Sequence, residues 1–234
     1  VNGNWWIVYH AYENGHYPLG RQTLLEPIQW TDDGWFEAAG KAKPIRSSGV
    51  PIDAGMGLSD DFDGKRLGLQ WTTWRNYADI TLNNGRLHLN AKGEGPQDAR
   101  LLLTTATDHA YEIQVEVSVT QGTSGGLVLF YSEKAFAGIV SDGSQITVYE
   151  NASESVLYRD GFGKHFFVKI VNKSNTCDLL ASSDGRTWKA VRRSLDVSQM
   201  HHNKHGGFFA LRPGLVATGD GTVLFDNFEY AAHE

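Results

Sequence analysis

Residues 111–119 alternate strictly: Tyr111, Ile113, Val115, Val117 and Val119 are apolar, while Glu112, Gln114, Glu116 and Ser118 between them are polar. A period of two places all five apolar side chains on one side of an extended strand and leaves the other side in water. Almost no helical periodicity accompanies it. Instead, residues 126–131 form a continuous apolar run of strand length, and further runs lie at 135–140, 145–149, 165–171, 176–181 and 222–230. The dipeptides Asn84-Gly85, Asp142-Gly143 and Asp184-Gly185 punctuate them, and each supplies residues that tolerate positive φ at a tight hairpin turn. The pattern predicts an all-β protein. Roughly a dozen strands fit between residues 59 and 232, the range of a two-sheet jelly roll.

The 234 residues suffice for one large all-β domain, or for an ordinary domain plus a fragment. Hydrophobic residues at 41% and charged residues at 21% allow a packed core. The net charge of −6 argues against a nucleic-acid partner, since phosphate binding needs a basic face. No apolar run approaches a membrane span, so the expectation is a soluble chain, cytoplasmic or secreted. Cys177 is the single cysteine, flanked by Leu179 and Leu180, and reads as a buried, inert thiol. The opening Val1-Asn2-Gly3-Asn4-Trp5-Trp6-Ile7-Val8-Tyr9 has neither the basic nor the leucine-rich part of a signal peptide and looks like the middle of a folded segment.

The first forty residues differ from the rest. Residues 5–9 and 19–28 read as two strands, followed by an aromatic-rich turn at 30–36. Residues 40–51 lack periodicity and carry Pro44, Pro51, Gly40 and Gly49, which marks a linker or strap. Two or three strands cannot bury a core unaided, so residues 1–39 must dock on another body. The reading therefore divides the chain into strands at 1–39, a linker at 40–58 and a sandwich at 59–234.

The segment Tyr9-His10-Ala11-Tyr12-Glu13-Asn14-Gly15, with residues 19–28 and Trp30-Thr31-Asp32-Asp33-Gly34-Trp35, resembles the last blade of glycoside hydrolase family 43, five-bladed β-propellers that cleave xylosides and arabinosides. Asp60-Asp61-Phe62, Gly68-Leu69-Gln70-Trp71, the run at 126–131 and the closing Phe225-Asp226-Asn227-Phe228-Glu229-Tyr230 are similar to the concanavalin A-like sandwich that follows such propellers in β-xylosidases. The resemblance implies the C-terminal portion of a β-xylosidase or α-L-arabinofuranosidase acting on xylan or arabinoxylan saccharides, with the rest of the propeller upstream or in a companion chain. The alternative is a non-catalytic xylan-binding module. The family hydrolyses with two Asp and one Glu on earlier blades, which this sequence does not supply. Its two catalytic carboxyls must stand about 6.5–9.5 Å apart, and no residue here is assigned as catalytic; Glu13 and Glu26 read as structural.

The resemblance places His10 in the propeller's central channel, near a cation or water, against the plainer reading of a buried His bonded to a carbonyl. Arg21 is a candidate for sugar hydroxyls or for holding a carboxylate ionised; a structural fork between blades is the simpler role. Trp71 is expected in the core, whereas Trp74, in a cluster with Tyr77, is a candidate for stacking on a sugar ring. Residues 212–221, rich in Gly, read as a loop that reaches the propeller with Phe208 and Phe209 beside it, Phe208 touching substrate. His201-His202-Asn203-Lys204-His205 reads as a solvated loop rather than a zinc site. Asp60, Asp61 and Asp226 are hard oxygen donors that suit Ca²⁺ if they converge, and strand-end caps if they do not. Asn151-Ala152-Ser153 and Asn172-Lys173-Ser174 match the glycosylation pattern.

Overall fold

A computed structural model describes residues 4–39, 56–76, 79–158 and 162–233. Most of the expected linker, and Tyr77, lie outside these residues. The N-terminal unit is a three-stranded antiparallel sheet of β1 (Trp5–Tyr12), β2 (Arg21–Trp30) and β3 (Phe36–Ala38). The sandwich follows with β4 (Thr72–Thr73), β5 (Ile80–Asn83), β6 (Arg86–Ala91), β7 (Arg100–Leu103), β8 (Ala110–Val119), β9 (Thr123–Ser132) and β10 (Ala135–Ser141). It closes with β11 (Ile146–Glu150), β12 (Ser153–Tyr158), β13 (His165–Lys173), β14 (Thr176–Ser182), β15 (Lys189–Asp196), β16 (Arg212–Gly219) and β17 (Gly221–His233). Two seven-stranded sheets result, in the orders β12-β11-β10-β9-β16-β7-β4 and β15-β14-β13-β8-β17-β6-β5.

The two patterns in the sequence map onto two kinds of burial. In β8 the alternating residues Tyr111 to Val119 are buried against the first sheet. Their polar neighbours form a cross-strand ladder on the outer face, with Lys169 Nζ donating to Glu112 at 2.8 Å and Arg86 to Glu116 at 3.2 Å. Side chains in β9 and β10 are buried on both faces, which is why 126–131 reads as one apolar run. One face packs on the second sheet. The other carries its own cluster, including Leu103, Val128, Phe130, Phe136, Tyr149 and Val216, with Trp74 against it.

The expected hairpin dipeptides are all turns. Asn84 and Gly85 take φ of 52° and 69° between β5 and β6. Asp184 accepts from the backbone N–H of Thr187 and Arg186 at 2.7 and 2.8 Å, and these bonds hold its carboxyl well below the usual carboxylate range. Cys177 is fully buried, and loss of solvent pushes its thiol up to about 12, so it is inert as expected.

Asp60 joins the two ends of the sandwich. It bridges to Phe228 in the last strand, accepts the Phe62 N–H at 2.9 Å and receives Trp71 Nε1 at 2.7 Å. Trp71 packs its ring on Phe62 and Phe228, the core role expected of it. Asp226 instead pairs with Arg86 at 3.5 Å. Asp61 accepts the Asp63 N–H at 3.1 Å, and the three aspartates do not form a three-donor cluster among the described residues. Asn172 is 5% exposed inside β13, so the second glycosylation pattern is closed to modification in the folded protein, while Asn151 sits exposed in a turn.

Asp60→Ala strands the Trp71 indole N–H and removes a turn bond at the chain crossing. It is expected to lower unfolding free energy by about 1–3 kcal/mol in urea titrations followed by Trp fluorescence.

Candidate functional site

The turn between β1 and β2 holds the small sheet to the sandwich. Pro18 is buried and Leu19 packs against the sandwich core, while Leu211 N–H donates to the Pro18 carbonyl at 2.7 Å. Gly20 has φ 74°, and a Cβ there would meet the Ala210 Cβ at 3.0 Å, so glycine is demanded twice over. Further bonds run from Asn175 Nδ2 to the Gly15 carbonyl at 3.1 Å and between His16 Nδ1 and Ser174 Oγ at 3.0 Å. The body on which the first strands dock is therefore, at one end, the sandwich.

Away from this turn the sheet is bare on both faces. The β1–β2 register sets Val8 opposite Leu25 on one face, and they are 68% and 46% exposed. The other face carries Trp5 and Trp30, packed edge to face at 5.6 Å and 58% and 51% exposed. An apolar patch of this kind marks a contact surface.

The same register gathers three of the candidate residues. Tyr12 faces Arg21 directly, and His10 lies one step along the same face, with its Nδ1 3.5 Å from Arg21 Nη1. The Arg21 guanidinium lies 5.3 Å from the Tyr12 ring centre and 4.7 Å from that of Phe208, a cation–π sandwich. Phe208 is 73% exposed and forms, with Arg21, Gln22, Thr107 and Phe209, the wall of a cleft between the small sheet and the sandwich. Arg21, Phe208 and His10 thus share one edge. His10 is exposed and has no cluster of further donors among the described residues.

Trp74 is elsewhere. Its ring is held edge to face by Phe130 at 5.2 Å and Phe209 at 5.1 Å, Arg212 lies 5.1 Å from its centre, and its Nε1 donates to Glu133 at 2.8 Å. The ring closes the outer cluster of the first sheet, with its edges and its indole N–H already engaged.

Two loops expected from the sequence have a different form. Residues 212–219 of the Gly-rich segment are β16, a central strand paired with β9 and β7, and do not protrude. Pro213 keeps its place there because its carbonyl still accepts, from Thr104 N–H at 2.8 Å. The segment that reaches the small sheet is the one just before it, 206–211. The histidine run is a short helix, His202–His205, rather than a solvated loop. His201 is 8% exposed against Tyr17, and the His202 ring stacks on Phe208 at 4.7 Å. Burial, then the neighbouring imidazoles, lowers the His201 pKa; burial, then Lys204, lowers that of His205.

The sequence reading passed over a group at the docking turn. Glu13, His16 and His109 bring ligand-type atoms within 4.8 Å of one another. His109 Nε2 lies 2.7 Å from Glu13 Oε2, and the two imidazoles stack at 3.7 Å with a 7° interplanar angle. Only the pairing of a hairpin residue with one almost a hundred positions away assembles it, so no local spacing announces it.

Comparison with known proteins places these elements. Residues 59–231 match the family described as the β-xylosidase C-terminal concanavalin A-like domain, and residues 1–36 match glycosyl hydrolases family 43. A family 43 protein from Bacillus licheniformis, BlXynB, superposes with a TM-score of 0.85 at 25% identity over 99% of this chain and 52% of its own. Xylan β-1,4-xylosidase from Bacillus halodurans gives 0.78 at 22% identity, over 98% of this chain and 51% of its own, a likeness of fold. A non-reducing end α-L-arabinofuranosidase of Bacteroides ovatus is 38% identical over 86 residues, 33% of this chain and 16% of that protein. The chain spans about half the length of these solved relatives.

Gly20→Val forces a left-handed backbone on a β-branched residue and drives it into Ala210. The hairpin is expected to detach, with trypsin cleavage after Arg21 accelerating about 5–160-fold, as an opening cost of about 1–3 kcal/mol implies.

Proposed function

The chain belongs to the family of β-xylosidase C-terminal concanavalin A-like domains, preceded by the end of a family 43 glycosyl hydrolase domain, and from that membership we propose that it is the C-terminal portion of a glycosidase removing terminal xylose or arabinose from plant cell-wall hemicellulose. In this reading residues 1–39 close the propeller, 40–58 link, and 59–234 form the sandwich that buttresses it. The observation that carries the reading is the contrast within the small sheet. Its turn is fixed to the sandwich by Pro18, Leu19 and Gly20, while Trp5, Val8, Leu25 and Trp30 offer two apolar faces to neighbouring strands. The relatives named above, twice as long, support an upstream partner for those faces.

The chemistry proposed for the whole protein is inverting hydrolysis by two carboxyls about 6.5–9.5 Å apart, supplied by earlier blades. This chain contributes position. Arg21, stacked against the Tyr12 and Phe208 rings, presents its guanidinium at the edge where His10 also lies, suited to sugar hydroxyls or to keeping a carboxylate ionised. Phe208 supplies an exposed ring beside it. The Arg21 cation 3.5 Å from His10 Nδ1 does not fit a metal ion on that nitrogen. The binding-module alternative is disfavoured by Trp74, whose ring lies under the Arg212 guanidinium and whose indole N–H is taken by Glu133.

The full-length gene product is expected to release pentose from 4-nitrophenyl β-D-xylopyranoside or α-L-arabinofuranoside, and residues 1–234 alone to release none. Pentose release by residues 1–234 alone, or a full-length product inert on both substrates, contradicts the proposal. Within the active protein, Phe208→Ala is expected to reduce kcat/KM by roughly 10–100-fold through loss of positioning, measured by initial rates on the same substrates.

A further inference from the structure

We propose that Glu13, His16 and His109 form a binding site for one divalent transition-metal ion, Zn²⁺ by its donor set, that fastens the β1–β2 turn to the sandwich. The site draws on both bodies: Glu13 and His16 come from the turn, and His109 from the residues leading into β8. Two imidazoles and one carboxylate are the donors of a borderline ion, whereas Ca²⁺ and Mg²⁺ take oxygen almost alone. The ligand atoms already lie within 4.8 Å of one another. Tetrahedral bonds of about 2.0–2.2 Å set ligand atoms about 3.4 Å apart, so the 2.7 Å Glu13–His109 pair opens slightly while the wider separations close. Glu13 and His109, 50% and 46% exposed, have the freedom to make those shifts, trading the ring stack for metal–nitrogen bonds.

Two surroundings point to a ligand rather than to a simple ion pair. Ser174 Oγ lies 3.0 Å from His16 Nδ1, an outer partner that fixes the ring and, when Nδ1 donates, leaves the Nε2 lone pair for a metal. A cavity of about 10 Å³, room for one water, is lined by the polar His16, His109, Ser174 and Asn172 together with apolar neighbours such as Leu19 and Leu211. Asn172 is 5% exposed, its Nδ2 donates to the His109 carbonyl at 3.1 Å, and its Oδ1 has no partner among the described residues. A buried acceptor without a donor is costly, and a metal-bound water in the fourth position of a three-ligand zinc site is a donor of the right kind. The site is independent of the pentosidase reading, because it needs only the contact between turn and sandwich.

The test is calorimetric titration of the full-length gene product, free of any histidine tag, with ZnCl₂. One Zn²⁺ per chain is expected at this site, with the thermal midpoint rising by roughly 5 °C at saturation. His109→Gln and Glu13→Gln should each weaken that binding at least about 100-fold, a loss that even outer partners of ligands can cause. His202→Gln, in the other histidine cluster, should leave it unchanged. No saturable binding by the wild-type protein, or binding undiminished in a His16→Gln/His109→Gln double variant, overturns the proposal.

Discussion

The close approach of Gly20 to Ala210 is the constraint on which the arrangement depends. With φ of 74° and no Cβ, Gly20 lets the chain leave the buried Pro18-Leu19 turn and enter β2 directly against the 206–211 segment. Together with the Leu211–Pro18 and Asn175–Gly15 bonds, that contact fixes where the small sheet starts. Arg21, the next residue, is delivered between Tyr12 and Phe208. A sheet anchored at one end and uncovered on both faces is a fitting, not a domain, and its anchor belongs to the sandwich.

The two sheets of the sandwich bury a continuous core, and the first also buries its outer face. That second layer is unusual for an antiparallel sheet, which ordinarily wets one side. Here Phe130, Phe136, Tyr149 and Val216 fill it and Trp74 caps it, with Arg212 drawn over the indole. The outer face of the second sheet is polar, laced by Lys169–Glu112 and Arg86–Glu116.

Much of this was legible in the residues. Alternation gave β8, Asn-Gly and Asp-Gly gave the hairpins, and the family likeness over residues 9–35 and at the sandwich's ends agrees with the matched families. Residues 212–219 were misread because glycine and proline signal loops locally, whereas the tertiary pairing with β9 and β7 decides for a strand. Trp74 was ambiguous for a related reason: its exposure depends on Phe130 and Phe209, more than fifty positions away. The Glu13–His16–His109 group was invisible, since only the docking of one body on another brings it together.

The central claim, that the small sheet's faces are built to be covered by upstream strands while its turn stays on the sandwich, is tested most directly by hydroxyl-radical footprinting of the full-length gene product with peptide mass spectrometry. Trp5, Val8 and Trp30 should be labelled far more slowly than Leu69, which is 93% exposed. Labelling of Trp5, Trp30 and Val8, corrected for intrinsic reactivity, at rates comparable to Leu69 would leave both faces in water and contradict the account.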